Sequence, residues 1–288
     1  MHNILTIDVE DWYQSSVDVL RAKGYPADGR PMPSPRVVEN TMRLLDILSR
    51  FGAKATCFVL GTVAEAYPSL VRRIADAGHE VATHGYGHEL VYNLDREAFR
   101  ADIALSKRLL EEVTGRPVEA YRAPYFSITP RSAWALDVLA ESGIKHDSSI
   151  FPIRRGLYGF PGGKRFPHAM GLAGGRSLLE LPVSTLRVLG ANVPFGGGGY
   201  FRLAPYRLVR KGLESLNRVG QAGVFYVHPY ELDTEELKAP LPAENRRTRL
   251  FRWSQRLNRE KTEAKIDRLL GDFAWTSIRE WTNGGNSS

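Results

Sequence analysis

Three helical stretches of this chain stop at a glycine and run straight into a short strand pattern. Thr62–Ala77 ends at Gly78, Arg96–Thr114 at Gly115 and Pro130–Ser142 at Gly143, the residue type that closes a helix in the left-handed conformation. A fourth helical pattern, Pro35–Phe51, has Ser34 as its N-cap and Pro35 at its first position, and Gly52 follows it. Strand patterns lie at Asn3–Asp8, Lys54–Val59, Glu80–Thr83, Glu119–Arg122, Lys145–Asp147, Ser177–Leu181, Gly223–His228 and Asp272–Thr276. Strands alternating with helices of this length imply βα units and a mainly parallel sheet. Within 288 residues they suit one α/β fold, a distorted (β/α) barrel of about seven to eight strands, better than two independent domains. The expectation is a single domain over 1–288. Long rim loops rich in glycine and proline would cover 151–204, with one clear strand among them, and a basic helical segment would cover 240–288.

Composition narrows the setting. No apolar run approaches the roughly 18 residues that a membrane-spanning helix needs. The start, Met1-His-Asn-Ile-Leu-Thr-Ile-Asp8, has no basic n-region, so a cytoplasmic protein is expected, with peripheral membrane association open to it. The single cysteine, Cys57, excludes an internal disulfide and a Cys-based metal cluster. The net charge of +7 is concentrated between Arg246 and Arg268, where nine Lys/Arg meet three acids. This stretch reads as a solvated helical face, and no nucleic-acid partner is expected.

In a parallel barrel, chemistry sits where strands end, at the C-terminal face. The strand ends here are unusually polar: Asp8, Glu10 and Asp11 follow the first, His84 and His88 the third, Arg122 the fourth, Asp147 the fifth and His228 the seventh. The two histidines of Thr83-His-Gly-Tyr-Gly-His88 are spaced to hold one divalent ion, on a short turn because Gly85 and Gly87 weaken a helix. Alone they read equally well as hydrogen-bonded histidines; a nearby carboxylate favours an ion. Strand alternation points Asp8 and Glu10 to one face and Asp11 away, unless the chain turns after Asp8. Trp12, Tyr13, Tyr92, Phe126, Tyr200 and Tyr230 fall in or near the loops that would rim the site, and Gly196–Gly199 reads as a flexible turn.

Thr6-Ile-Asp-Val-Glu-Asp11-Trp-Tyr-Gln14, the His84/His88 motif, Tyr121-Arg-Ala-Pro-Tyr125 and Val227-His-Pro-Tyr-Glu-Leu-Asp233 resemble, in order and spacing, the successive motifs of polysaccharide deacetylases, carbohydrate esterase family four. With Gly198-Gly-Tyr-Phe-Arg202 and Asp272-Phe-Ala-Trp-Thr276 they resemble a bacterial branch associated with exopolysaccharide biosynthesis. The resemblance implies a metal-dependent hydrolase that removes N-acetyl groups from a polysaccharide or its precursor. Asp8 would be the base, His228 the acid, and Arg122 the partner of the base. Asp147 would orient His228, although the tryptophan usual in that motif is absent. His84 and His88 would hold the metal, with Glu10 or Asp11 as third ligand, because the common adjacent aspartates are missing. Tyr125, after Pro124, would hold the oxyanion through its backbone N–H. One divalent ion is implied, zinc by ligand type, with cobalt, manganese or nickel fitting the same set. A non-catalytic glycan-binding module and another metal-dependent amidohydrolase are the alternatives.

Overall fold

In the first strand, residues alternate between two destinations. Leu5, Ile7 and Val9 enter the large apolar cluster under the helices, whereas Ile4 packs with Phe58, Ala82, Ala120 and Val224 inside the sheet's concave face. Period-two alternation makes this division, and it continues upward. Two residues on from the apolar floor, the same inward rows carry Thr6 and then Asp8, His84, Arg122, and Tyr226 and then His228. Concavity and strand period together bring these polar ends to one rim.

The computed structural model describes residues 1–27 and 31–284; the expected domain limits of 1–288 include residues outside these. The strands are β1 (His2–Val9), β2 (Thr56–Val59), β3 (Glu80–Thr83), β4 (Ala120–Tyr121), β5 (His146–Asp147), β6 (His168–Gly171), β7 (Ser177–Glu180), β8 (Thr185–Val188), β9 (Ala191–Pro194), β10 (Val224–Val227) and β11 (Ala274–Thr276). The helices are α1 (Trp12–Ala22), α2 (Pro35–Arg50), α3 (Gly61–Ala66), α4 (Pro68–Asp76), α5 (Arg96–Thr114), α6 (Ala135–Glu141), α7 (Gly198–Leu203), α8 (Tyr206–Arg218), α9 (Arg246–Arg256), α10 (Thr262–Asp272) and α11 (Ile278–Asn283). The main sheet runs β10-β1-β2-β3-β4-β5-β7-β6, with β11 also on β1. Every pairing in it is parallel except β6 with β7. This is the expected distorted barrel, incompletely closed: no strand pairing joins β7 to β10 among the described residues. The gap is bridged by Ser184, whose N–H donates to Val224 O, and by Gly196, whose carbonyl accepts from Tyr226 N–H at 2.9 Å.

All eight expected strands form. The expected helix over 62–77 is two helices, because Tyr67 leaves the helical region (φ −135°, ψ 60°) before Pro68, whose ring disfavours the α conformation in the residue ahead of it. Helix α1 starts at Trp12, where the sequence suggested a rim loop; it buries Trp12, Val17 and Leu20. The 151–204 region holds more structure than its glycines suggested: β6, the β8–β9 hairpin and α7 as well as β7. Nor is Gly196–Gly199 a flexible turn. Gly197 forms a parallel bridge with Tyr226, and a Cβ on it would lie 2.0 Å from Tyr226 O, so only glycine can bring the backbone this close. Part of the basic C-terminal segment is tied down. Arg252 pairs with Glu244 at 2.9 Å, Arg259 donates to Asp233 O at 2.8 Å, and Lys265 donates to the carbonyls of Arg202 and Ala204.

Candidate active site

Glu10, one residue past β1, lies between two histidines from the loop after β3. Its Oε2 is 2.9 Å from His88 Nε2 and 3.6 Å from His84 Nε2, and all three side chains are buried. His84 Nδ1 lies 2.8 Å from the Arg122 carbonyl. A carbonyl only accepts, so Nδ1 carries a proton, and Nε2 is the nitrogen that faces Glu10. Glu10 Oε2 accepts no hydrogen bond among the described residues. Burial works against its ionised form, but the two imidazoles beside it hold its pKa well below the usual carboxylate range. A buried, unbonded carboxylate oxygen facing imidazole nitrogens fits a divalent ion. The spacings resemble the roughly 3.4 Å between ligands about 2.1 Å from a tetrahedral centre. Asp11 stands apart. It is the N-cap residue of α1, and its Oδ2 accepts the Ser34 N–H at 2.5 Å.

Asp8 and His228 face this cluster. Asp8 Oδ1 accepts from Arg122 Nη1 at 2.7 Å, and His228 Nε2 lies 3.9 Å from Asp8 Oδ2 and 3.7 Å from Glu10 Oε1. Arg122 is fully buried; it also donates to Thr6 Oγ1, Ser148 Oγ and Ser148 O, and its guanidinium lies 4.4 Å from the Phe58 ring centroid. Such a set of donors and acceptors fixes the guanidinium rigidly.

His228 has a partner that sequence reasoning missed. Its Nδ1 is 3.3 Å from Glu231 Oε2, on the short turn Pro229–Leu232, and Glu231 is flanked in turn by Arg202 at 3.5 Å. Burial disfavours the imidazolium, but the Glu231 carboxylate, with Glu10 and Asp8, outweighs it and raises the His228 pKa. Asp147, expected in that role, lies elsewhere. It accepts from Ser149 Oγ at 2.5 Å and lies opposite Glu180 on the adjacent β7. Burial pushes Asp147 up to about 6 and, with the Asp147 charge beside it, pushes Glu180 well above the carboxylate range. Two buried acids side by side disfavour ionisation of both.

The pocket between these groups has a volume of about 110 Å³, below the roughly 300 Å³ at which pockets start to enclose a whole small molecule. It has room for a small group rather than a whole ring system. Tyr125, Phe126, Tyr158, Tyr226 and Tyr230 wall it. Of the six aromatic residues expected near the rim, Phe126 and Tyr230 reach it, whereas Trp12 is buried against Phe251. Tyr125 follows the buried Pro124 and has a left-handed backbone, φ 55°, an uncommon state for a non-glycine residue.

The polysaccharide deacetylase family model matches residues 28–145, and a model of a domain of unknown function (DUF3473) matches residues 148–283. The site is drawn from both: His84, His88 and Arg122 from the first stretch, His228 and Glu231 from the second. A peptidoglycan-N-acetylglucosamine deacetylase of Bacillus cereus is 28% identical over 54% of this chain and 61% of its own length. A chitooligosaccharide deacetylase of Rhizobium leguminosarum bv. trifolii is 35% identical over 35% of this chain and 45% of its own. The chain thus spans less than two thirds of the length of these curated relatives. Among solved structures, a Mycobacterium smegmatis protein described as a polysaccharide deacetylase superposes with a TM-score of 0.59 at 21% identity, over all of this chain and 92% of that one. The family match runs through the His84–His88 loop and the Arg122 turn, so residues 28–145 are similar to the polysaccharide deacetylase family, and the likeness to the Mycobacterium smegmatis structure shows a shared fold over the whole length.

Proposed function

We propose that this protein hydrolyses the N-acetyl groups of a polysaccharide or its precursor, in exopolysaccharide biosynthesis, with one divalent ion, zinc by ligand type, held by Glu10, His84 and His88. The observation that carries this is the opposition of Asp8 and His228 across that ligand set, within 3.9 Å of each other. A bound divalent ion supplies carbonyl polarisation and a more acidic water. Asp8, with Oδ1 engaged by Arg122, turns Oδ2 to the pocket, where it accepts the water proton. The Tyr125 N–H is the proposed donor to the developing oxyanion, a contact worth about 3 kcal/mol in such sites. His228, its Nδ1 proton engaged by Glu231, gives its Nε2 proton to the departing nitrogen as the C–N bond breaks. Acetate and a free amine result. No helix among the described residues is long and apolar enough to cross a membrane.

The test is acetate release from N-acetylchitooligosaccharides, lost on chelation and recovered with added zinc, cobalt, manganese or nickel. Absence of release with every one of these ions on N-acetylated glycans would favour a glycan-binding role. The His228 assignment has a pH signature of its own. Its pKa is raised in the folded protein, so the proton donor is present below that pKa and lost as pH rises through it. In Glu231→Gln, burial loses its main opponent. The alkaline limb of kcat should move to lower pH, with kcat at pH 8 falling roughly tenfold or more. An unmoved limb would separate Glu231 from the proton donor.

A further inference from the structure

A second concavity lies on the rim beside the catalytic pocket. It is a cleft of about 500 Å³ between the loop that follows Phe151 and the β8–β9 hairpin, and three arginines, Arg154, Arg155 and Arg187, line it with no acidic residue among its walls. The imbalance extends beyond the cleft. From Ser148 to Pro194 the chain has six Lys/Arg and a single acid, Glu180, which is buried opposite Asp147. Arg187 is held in place. It lies directly opposite Asn192 across the hairpin and donates to Asn192 Oδ1 at 3.2 Å, while Asn192 Nδ2 donates to Pro152 O at 2.6 Å. Arg154 and Arg155 form no ion pair among the described residues. Burial and the Arg187 charge both lower the pKa of Arg165 behind the hairpin. Positive charge gathered without a counter-ion is unfavourable until an anion joins it.

The cleft communicates with the catalytic pocket through packed side chains. Ile153 lines the cleft and packs in one cluster with Phe126 and Tyr226, which wall the pocket. The Arg155 guanidinium lies 5.9 Å from the Tyr200 ring centroid, and Tyr200 shares a 2.6 Å hydrogen bond with Tyr158, another pocket wall. We propose that this cleft is a subsite for an oxyanion-bearing sugar unit, a carboxylate or phosphate carried by the same glycan whose acetamide enters the catalytic pocket. Planar guanidinium forks match both oxyanions. No aromatic ring lines the cleft, so it lacks the stacking platform that a neutral sugar or a nucleobase would use. The small catalytic pocket leaves the rest of a polymer on the surface, where this cleft meets it. The proposal rests on the deacetylase reading for the identity of the ligand.

Its test separates the two. Oligogalacturonate, a phosphate-bearing oligomannoside and a neutral cello-oligosaccharide, none with an acetamide, are titrated calorimetrically against the wild type and against Arg154→Gln/Arg155→Gln/Arg187→Gln. At least one anionic probe should bind about tenfold tighter than the neutral one and lose that advantage in the variant. The probe that does so identifies carboxylate or phosphate as the ligand group. Acetate release from neutral N-acetylchitooligosaccharides should be unchanged in the variant. Equal binding of anionic and neutral probes, or anionic binding that the variant retains, overturns the subsite whatever the hydrolytic result. Absent acetate release with charge-dependent binding intact overturns the deacetylase reading alone. If the triple variant fails to fold, exposed Arg154→Glu, which reverses one charge, must weaken anionic binding for the proposal to stand.

Discussion

Asp8→Asn should lower kcat for acetate release by about 10²–10⁴, the usual contribution of a positioned general base. Asparagine is the informative replacement because of what lies behind Asp8. Arg122 is fully buried, and stripping a buried ion pair of one partner costs about 3–5 kcal/mol. Alanine would therefore confound chemistry with unfolding. An asparagine oxygen can still accept from Arg122 Nη1, and Thr6 and Ser148 keep their own bonds to the guanidinium. The variant should remain folded at assay temperature and keep its bound ion, because Asp8 is outside the Glu10, His84 and His88 set. Acetate release, a thermal melt and metal content by atomic spectroscopy check the three parts. A rate within tenfold of the wild type, with the melt unchanged, would remove Asp8 from the proposed chemistry.

Glu10→Gln and Asp11→Ala should part company just as sharply. Losing an outer partner of a metal ligand weakens affinity by about 10–100-fold, so replacing the ligand Glu10 itself should cost about a hundredfold or more, and activity with it. Asp11→Ala leaves the ligand set untouched. It orphans the Ser34 N–H, which donates to Asp11, and should cost about 1–3 kcal/mol of stability. Its metal content should match the wild type. A metal-free Asp11→Ala beside a metal-replete Glu10→Gln would exchange the two assignments.

The parts readable from sequence share one property: they obey a short period. Residues on alternate positions of β1, β3, β4 and β10 put Asp8, Glu10, His84, Arg122 and His228 on one side of a concave sheet, so reading the strand ends was enough to gather them. The same alternation favoured Glu10 over Asp11 once the chain ran straight past Val9. What escaped depended on neighbours distant in sequence. Asp147, a strand-end acid, was expected to orient His228, but β7 pairs with β5 in a register that sets Glu180 opposite Asp147. Glu231 carried a local signal that went unused. A short turn starting at Pro229 brings residues three apart together, and Glu231 is three residues from His228. The hairpin Thr185–Pro194 lacked a strong strand signature because both faces are partly exposed. The charge count pointed to Arg246–Arg268, yet Arg252, Arg259 and Lys265 there are internal struts. A second open cationic surface, with no acid among its walls, is the cleft on the rim.

The placement of β1 bears on how the molecule assembles. It pairs with β2 on one side, but also with β10 and β11, joining Ile4 to Val224 and His2 to Ala274. Contacts spanning more than two hundred residues are slow to form, since a long loop must close before they reward the chain. The stretch 148–283, which holds β10 and β11, therefore cannot complete its part of the sheet without β1, which lies ahead of both stretches matched by family models. Expressed without β1, that stretch would expose the unpaired edges of β10 and β11 and would be prone to aggregate.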